Sequence, residues 1–303
     1  MTDLEKAIWR TVCWFAIFEY PLTAFEFWKW LWSPGHQYSL AEVFDALAES
    51  PWLHDRLQVK QGFYARRPGR PMAELVAERQ QNFLDSVRKY KKLRSVIDWL
   101  SLAPGVRGIA AVNTMSWWQT NGQSDIDLFI IVQPGSIWLS RLLLVTPFAL
   151  LKKRPGAADR LDPFCFTFFV SQSAIDLKPL AVLGADPYLA YWTMGVVPVF
   201  GRAGQWREFQ AENQWAKEYL PNAFMRPMHR ELAAAGWRPW PGSWKFLDQG
   251  ARRIQERRFP EKIQLMKNRD SRVVVNNEVL KFHVDDPRQE FKRRWQELIN
   301  YEA

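Results

Sequence analysis

The sequence predicts a mixed α/β (α+β) fold, with helices at both ends of the chain and a strand-containing core between them. Apolar residues follow helical spacing over most of residues 4–100 and again after residue 181. Between residues 106 and 170, short apolar segments alternate with turn residues, as is typical of buried strands. The 303 residues are 48% hydrophobic and 24% charged, which are ordinary globular values. We predict an N-terminal module over 1–70, a connecting helix over 71–103, a core over 104–180 and a helical region over 181–303.

Charge and cysteine content limit the classes of partner and the cellular compartment that we expect for this protein. The chain carries 41 Lys and Arg against 32 Asp and Glu, a net charge of +9 that favours nucleic acid, nucleotides or an acidic surface as partners. Its two cysteines, Cys13 and Cys165, are too few for a disulfide framework or a paired-cysteine zinc site. The N-terminus has no signal-peptide pattern. The most apolar window, 136–151, is too short for a membrane span and contains Arg141. We therefore expect a cytoplasmic protein that does not cross a membrane.

The N-terminal module has the element order of a winged helix-turn-helix. Helical spacing over 4–18 is followed by a second helix that Thr23 caps and that extends to about Trp32. Ser39-Leu40-Ala41-Glu42 is a capping box that begins a third helix. Two alternating segments around Gln61-Gly62 then predict a hairpin. The module is thus predicted to be winged-helix-like.

The charges of this module leave two interpretations open. The third helix, which would lie in the major groove of a duplex, carries Glu42, Asp45 and Glu49 and no basic residue. The wing is basic, with Lys60, Arg66, Arg67 and Arg70. We favour a packing or protein-interaction module, with sequence-specific DNA binding as the alternative.

A long amphipathic helix is predicted from Met72 to about Leu100, because Val76, Phe83, Tyr90 and Ile97 repeat every seven residues. Its predicted outer face carries the basic residues Arg88, Lys89, Lys91, Lys92 and Arg94. A charge run of this kind usually indicates a solvated face. The alternative is a track along a phosphate backbone.

The core contains the residues that indicate chemistry. A strand over 106–112 leads to Asn113-Thr114, which begins a short helix containing Trp117 and Trp118. After the turn 121–124 comes a buried strand whose first residues include Asp125 and Asp127. Alternation puts these two aspartates on one face of the strand. Two neighbouring carboxylates at a strand end suit Mg²⁺ carrying a polyphosphate, whereas the plainer interpretation is that they only cap the preceding turn.

In these residues the chain resembles the DNA polymerase β-like nucleotidyltransferase superfamily. The resemblance rests on Ala111-Val112-Asn113-Thr114 followed by Ser124-Asp125-Ile126-Asp127-Leu128, and it covers about 104–180. A subgroup of bacterial nucleotidyltransferase-like proteins is also similar at 137–141 and 280–283. The resemblance implies a nucleotidyltransferase core that transfers a nucleoside monophosphate from a nucleoside triphosphate to an unknown acceptor.

The same resemblance implies roles for individual residues. Asp125 and Asp127 would bind Mg²⁺, the Asn113-Thr114 turn would bind the phosphates, and Ser124 would support the loop. The superfamily has a third carboxylate on a neighbouring strand. Because Phe164 to Val170 contains no acid, Asp162 is the best candidate for this third catalytic and metal-binding residue, and Asp176 is a weaker one.

The missing strand acid also supports an alternative function, that of a catalytically degenerate nucleic-acid-binding or regulatory protein. This protein would use the basic wing and residues 88–94. The segment 281–283, followed by Asp285-Asp286, would either approach a nucleotide or cap a helix. The scattered residues His36, His54, His229 and His283 show no metal-ligand spacing and are expected to be structural.

Overall fold

A computed structural model describes residues 1–151, 161–226 and 245–300, which form two sheets surrounded by helices. The elements of the N-terminal part are α1 (Asp3–Ala16), β1 (Leu22–Thr23), α2 (Ala24–Lys29), α3 (Leu40–Glu49), α4 (Pro51–Arg56), β2 (Leu57–Lys60), β3 (Phe63–Arg66) and α5 (Met72–Ser101). They are followed by β4 (Val106–Ala111), β5 (Ile126–Val132), α6 (Ile137–Leu150), β6 (Phe164–Ser171), α7 (Pro187–Gly195), β7 (Val197–Gly201), α8 (Ala203–Glu212), α9 (Lys245–Glu256), α10 (Glu261–Met266), β8 (Val273–Val275), β9 (Val279–Phe282) and α11 (Arg288–Asn300). The fold is mixed α/β, as predicted.

Local signals account for the helix starts of the N-terminal part. Thr23 and Ser39 each form a capping box with the Glu three residues later, which confirms the predicted starts of α2 and α3. The helix α2 ends at Lys29, earlier than expected. Ser50 ends α3 and also caps α4, an additional helix with Pro51 in its first turn. The predicted hairpin is present, and the short strand β1 extends it to a three-stranded sheet in the order β1-β3-β2.

The larger sheet has the strand order β7-β4-β5-β6-β9-β8. Its central strand β5 pairs with β4 in the antiparallel and with β6 in the parallel sense. The C-terminal region was expected to be helical, but residues after 180 also contribute the strands β7, β8 and β9. These strands are three to five residues long, too short for a clear alternation pattern. They provide backbone partners for β4 and β6, whose outer edges would otherwise be unpaired.

Helices cover both faces of this sheet. On one face, Leu128 and Ile130 of β5 pack in a cluster with residues of α5, α6 and α9. On the other, Phe129 and Ile131 join a cluster that contains most of α1 as well as α7, α8 and Trp295 of α11. The N-terminal module thus shares its core with the C-terminal helices. Within the described ranges, no helix is both long and apolar enough to span a bilayer.

Gly105, in the turn between α5 and β4, has a backbone conformation that excludes a side chain. Its φ is 82°, and an added Cβ would overlap with Oγ of Ser136. We expect Gly105→Ala to lower the free energy of unfolding by about 2 kcal/mol or more, because the left-handed backbone and the overlap both disfavour a side chain. Urea denaturation checks this, with Gly122→Ala as the control, since a Cβ at Gly122 meets nothing within 4 Å. Equal effects of the two substitutions would contradict the expectation.

Candidate functional site

Asp125 and Asp127 lie together at the N-terminal end of β5. Ile126 between them is fully buried and faces the other side of the sheet. On the parallel neighbour β6, the residue in register with Asp127 is Cys165. A carboxylate oxygen of each aspartate and Sγ of Cys165 all lie within 4.8 Å of one another. The predicted pair of carboxylates is therefore brought together, and the third member of the group is a thiol.

The electrostatics of this group favour a bound cation. Burial and the neighbouring Asp127 charge raise the pKa of Asp125 to about 6. Burial also raises the pKa of Asp127, although hydrogen bonds with Asn113 and Cys165 oppose the shift. Burial and the charge of Asp127 raise the pKa of Cys165, so its thiol is neutral. Among the described residues neither carboxylate forms an ion pair, and a divalent cation would relieve their repulsion.

The fully buried lysine Lys89 positions the loop that leads to these carboxylates. Its ammonium group on α5 donates to the carbonyl oxygens of Asn121 at 2.5 Å and Ser124 at 2.7 Å. It also forms ion pairs with Asp85 at 3.1 Å and Asp162 at 3.7 Å. Within the loop, Oγ of Ser124 accepts a hydrogen bond from the amide of Asn121, so the side chain of Ser124 stabilises this turn.

The expectation of a solvated face over residues 88–94 is wrong for Lys89, whereas Arg88, Lys91 and Arg94 are exposed as expected. Lys89 is buried, while Arg88 and Lys92 form ion pairs with Asp162. The sequence contains a signal for the burial of Lys89, because this residue lies one helical turn before the buried residue Leu93. The seven-residue repeat of Val76, Phe83, Tyr90 and Ile97 follows a different set of positions, of which Phe83 is 48% exposed.

Asp162 does not belong to the group formed by Asp125 and Asp127. The guanidinium of Arg88 binds both of its carboxylate oxygens, and Lys92 lies 3.5 Å away. Burial alone would raise the pKa of Asp162, but these cations hold it below its ordinary value. Asp176 accepts a hydrogen bond from the amide of Lys178 and caps a local turn. Neither candidate is in the described group of possible metal ligands, which consists of Asp125, Asp127 and Cys165.

Asn113 is arranged around Asp127. It has a φ of 53°, the left-handed conformation that asparagine tolerates. Its Oδ1 accepts a hydrogen bond from Nε1 of Trp192 at 2.8 Å, and its side chain also bonds to Asp127. The predicted helix start is a single 3-10 turn, Asn113–Met115, and Thr114 in it is exposed. Asn113 thus orients a carboxylate, and the turn is too short to bind phosphate as the N-terminus of a longer helix would.

Two cavities meet at Asp127, and Asn113, Tyr188 and Trp192 also line both of them. The aromatic cavity has a volume of about 410 Å³ and is lined mainly by rings, among them Trp14, Phe15, Phe18, Trp117, Tyr191 and Phe291. The polar cavity has a volume of about 360 Å³ and is lined by Cys165, Thr167, Lys281, His283, Asp286 and Arg288, among others. The sequence alone did not indicate either cavity. Trp117 lines the aromatic cavity, whereas Trp118 packs on Tyr90 with ring centroids 4.7 Å apart.

The predicted cluster of Lys281 and His283 lines the polar cavity in an internally paired state. Oγ1 of Thr167 lies 3.4 Å from Sγ of Cys165 and 3.3 Å from Nε2 of His283. Burial and the charge of Lys281 lower the pKa of His283 to about 3, so the ring is neutral. Lys281 and Arg288 both bind Asp286. Of the other histidines, His229 lies outside the described residues.

The N-terminal module offers few basic groups to a duplex. The acids Glu42, Asp45 and Glu49 of α3 are all exposed. In the wing, Arg66 is buried and Arg70 forms ion pairs with three glutamates, Glu19, Glu74 and Glu78. The exposed face of α3 is thus acidic, which favours packing over DNA binding as the role of this module.

The raised pKa of Asp125 predicts a pH-dependent effect of Asp125→Asn. Because the folded state binds this proton more tightly than the unfolded state, the contribution of Asp125 to stability is greatest below about pH 4 and is lost as the pH rises through 6. Asparagine does not ionise. We therefore expect Asp125→Asn to be more stable than the wild type by about 1 to 2 kcal/mol at pH 7.5, since partial exposure screens some of the repulsion.

This difference should shrink between pH 6 and pH 4.5. Urea denaturation at several pH values in the presence of EDTA measures it, with the exposed Asp45→Asn as the control. A gain in stability of Asp125→Asn that does not vary with pH would contradict the repulsion between Asp125 and Asp127.

The site thus combines a carboxylate pair, a neutral thiol and two cavities of different polarity. Its carboxylates come from one strand, and the walls come from α1, α7, α11 and the loop after β9. The chain matches no protein-family model, no curated protein and no solved structure.

Proposed function

We propose that this protein is a magnesium-dependent nucleotidyltransferase, which transfers a nucleoside monophosphate from a nucleoside triphosphate to an acceptor. The observation that carries the proposal is the pair Asp125 and Asp127, which has no ion-pair partner among the described residues and of which Asp127 lies at the junction of two cavities. Two neighbouring carboxylates whose pKa values burial raises are a suitable donor set for Mg²⁺, which prefers oxygen ligands. The neutral thiol of Cys165 is not such a ligand.

In this function, residues around the carboxylate pair hold the loop before it and orient its side chains. Lys89 holds the loop 121–124, and Asn113 fixes the carboxylate of Asp127. Bound Mg²⁺ would neutralise charge on the phosphates. An acceptor hydroxyl forms a bond to the α-phosphorus, the bond from that phosphorus to pyrophosphate breaks, and the hydroxyl proton passes to solvent. We propose a two-carboxylate site, because Asp162 is already neutralised by Arg88 and Lys92.

The proposal is tested by nucleotide binding and by pyrophosphate release. Calorimetry with each of the four ribonucleoside triphosphates should show binding that requires Mg²⁺ and that weakens at least about tenfold in Asp127→Asn. The exposed Asp45→Asn is the matched control and should bind as the wild type does. Absence of magnesium-dependent binding to the wild type, or equal binding to Asp127→Asn, would overturn the proposal.

The second candidate function is that of a catalytically degenerate regulatory protein that binds nucleotide without turnover. Cys165 favours it, because a thiol occupies the register position opposite Asp127 on the neighbouring strand. This candidate predicts magnesium-dependent binding without pyrophosphate release in any acceptor pool. A nucleic-acid-binding form would show affinity that falls steeply with salt, with a log–log slope of about −0.9 per phosphate contacted on duplex DNA. The internal pairing of Arg88, Lys89 and Lys92 disfavours that form.

A further inference from the structure

We propose that the aromatic cavity binds the acceptor, and that this acceptor is a neutral, largely apolar molecule with a hydroxyl group. The inference rests on the proposed function, since it identifies the substrate that receives the nucleoside monophosphate. The cavity volume of about 410 Å³ is in the range of small-molecule sites. It extends from the carboxylate of Asp127 toward α1 and α11, away from the polar cavity.

The walls of the aromatic cavity offer ring surface and few free polar groups. The hydroxyl of Tyr191 donates to the carbonyl of Trp30, and that of Tyr20 donates to Glu26. Nε1 of Trp192 donates to Asn113. Because the polar atoms of these side chains are already bonded within the protein, the cavity presents mainly apolar surface to a ligand. Such a surface binds an apolar molecule by removing it from water.

The charges of the lining separate this cavity from a phosphate site. None of its described lining residues is Lys, Arg or His, and Asp127 is its one charged side chain. A phosphate group would meet only that negative charge. A cationic ligand would compete with Mg²⁺ for Asp127. A neutral ligand therefore fits this cavity best.

Two polar groups in the lining of the aromatic cavity are suited to a ligand hydroxyl. The hydroxyl of Tyr188 forms no hydrogen bond with any described residue, and Tyr188 lines both cavities. Oε1 of Gln119, another lining residue, is buried without a hydrogen-bond partner in the described part of the chain. A ligand hydroxyl that binds to either group would form the new bond to the α-phosphorus, with pyrophosphate as the leaving group and the proton passing to solvent.

The test uses 2-naphthol, a planar, neutral and hydroxylated probe, with calorimetry on the full chain. We expect it to bind in the absence of nucleotide and to bind about tenfold more weakly to Phe18→Gln, because that substitution removes an apolar wall. Phe25→Gln is the matched control, since Phe25 is 46% exposed against 36% for Phe18 and does not line the cavity. The anionic probe 2-naphthyl phosphate should bind at least about tenfold more weakly than 2-naphthol.

The outcomes separate the cavity from the proposed function. The acceptor site would be overturned if 2-naphthol did not bind at concentrations up to about 1 mM. An equal loss of 2-naphthol affinity in Phe18→Gln and Phe25→Gln would also overturn it. Competition of adenosine with 2-naphthol would also overturn it, since the cavity would then bind the nucleobase. Binding that survives in Asp125→Asn, combined with the expected loss in Phe18→Gln, supports the cavity even where magnesium-dependent triphosphate binding fails.

Discussion

Lys89→Met should lower the free energy of unfolding by about 3 kcal/mol or more. Lys89 is fully buried, and its removal leaves the carbonyl oxygens of Asn121 and Ser124 without their donor. It also removes a buried positive charge from Asp85 and Asp162. Breaking a buried ion pair on one side is costly because the remaining charge stays desolvated, and methionine restores only the packing. Equilibrium denaturation by urea measures the change.

The matched control for this substitution is Lys91→Met on the exposed side of the same helix. Its effect should stay within about 0.5 kcal/mol, as for most surface substitutions. Because Lys89 holds the loop before Asp125, we also expect magnesium-dependent nucleotide binding to weaken in Lys89→Met under conditions where the variant is folded. Similar stability of Lys89→Met and Lys91→Met would show that the buried ammonium group contributes nothing to the fold.

Arg288→Met should destabilise the protein by a similar amount, about 3 to 5 kcal/mol. The guanidinium of Arg288 is buried and binds Asp186 at 3.0 Å and Asp286 at 2.9 Å. It also donates to the carbonyl of Leu180 and to Oγ of Ser271. These contacts connect the start of α11 to the cap of α7, where Asp186 accepts the amide of Leu189. Its loss would leave two carboxylates short of a partner and weaken that cap.

Arg293→Met is the control for this second substitution. Arg293 lies on the same helix with a side chain that is 59% exposed, and it pairs with Glu290 and Glu297. Exposed pairs of this kind contribute at most about 1 kcal/mol. Guanidinium denaturation of both variants measures the difference. If Arg293→Met lowered the free energy of unfolding as much as Arg288→Met, burial would not determine how much the ion pairs of Arg288 contribute to stability.

The sequence by itself determined the features that depend on neighbouring residues. The capping boxes of Thr23 and Ser39 start helices in the structure, and the alternation along β5 puts Asp125 and Asp127 on the same side. Capping uses groups three residues apart, and alternation is a property of any extended strand. Such signals are complete within a few residues of the chain. The fold class and the carboxylate pair could therefore be predicted.

The tertiary structure decided which distant groups meet at the site. Arg88 neutralises Asp162 across 74 positions, and Cys165 lies opposite Asp127 because of the register between β5 and β6. Burial of Lys89 depends on the loop 121–124 that its ammonium group contacts. The aromatic cavity needs α1 and α11 from opposite ends of the chain. No local pattern encodes these contacts, because each one depends on how the sheet is paired and on how the helices pack against it.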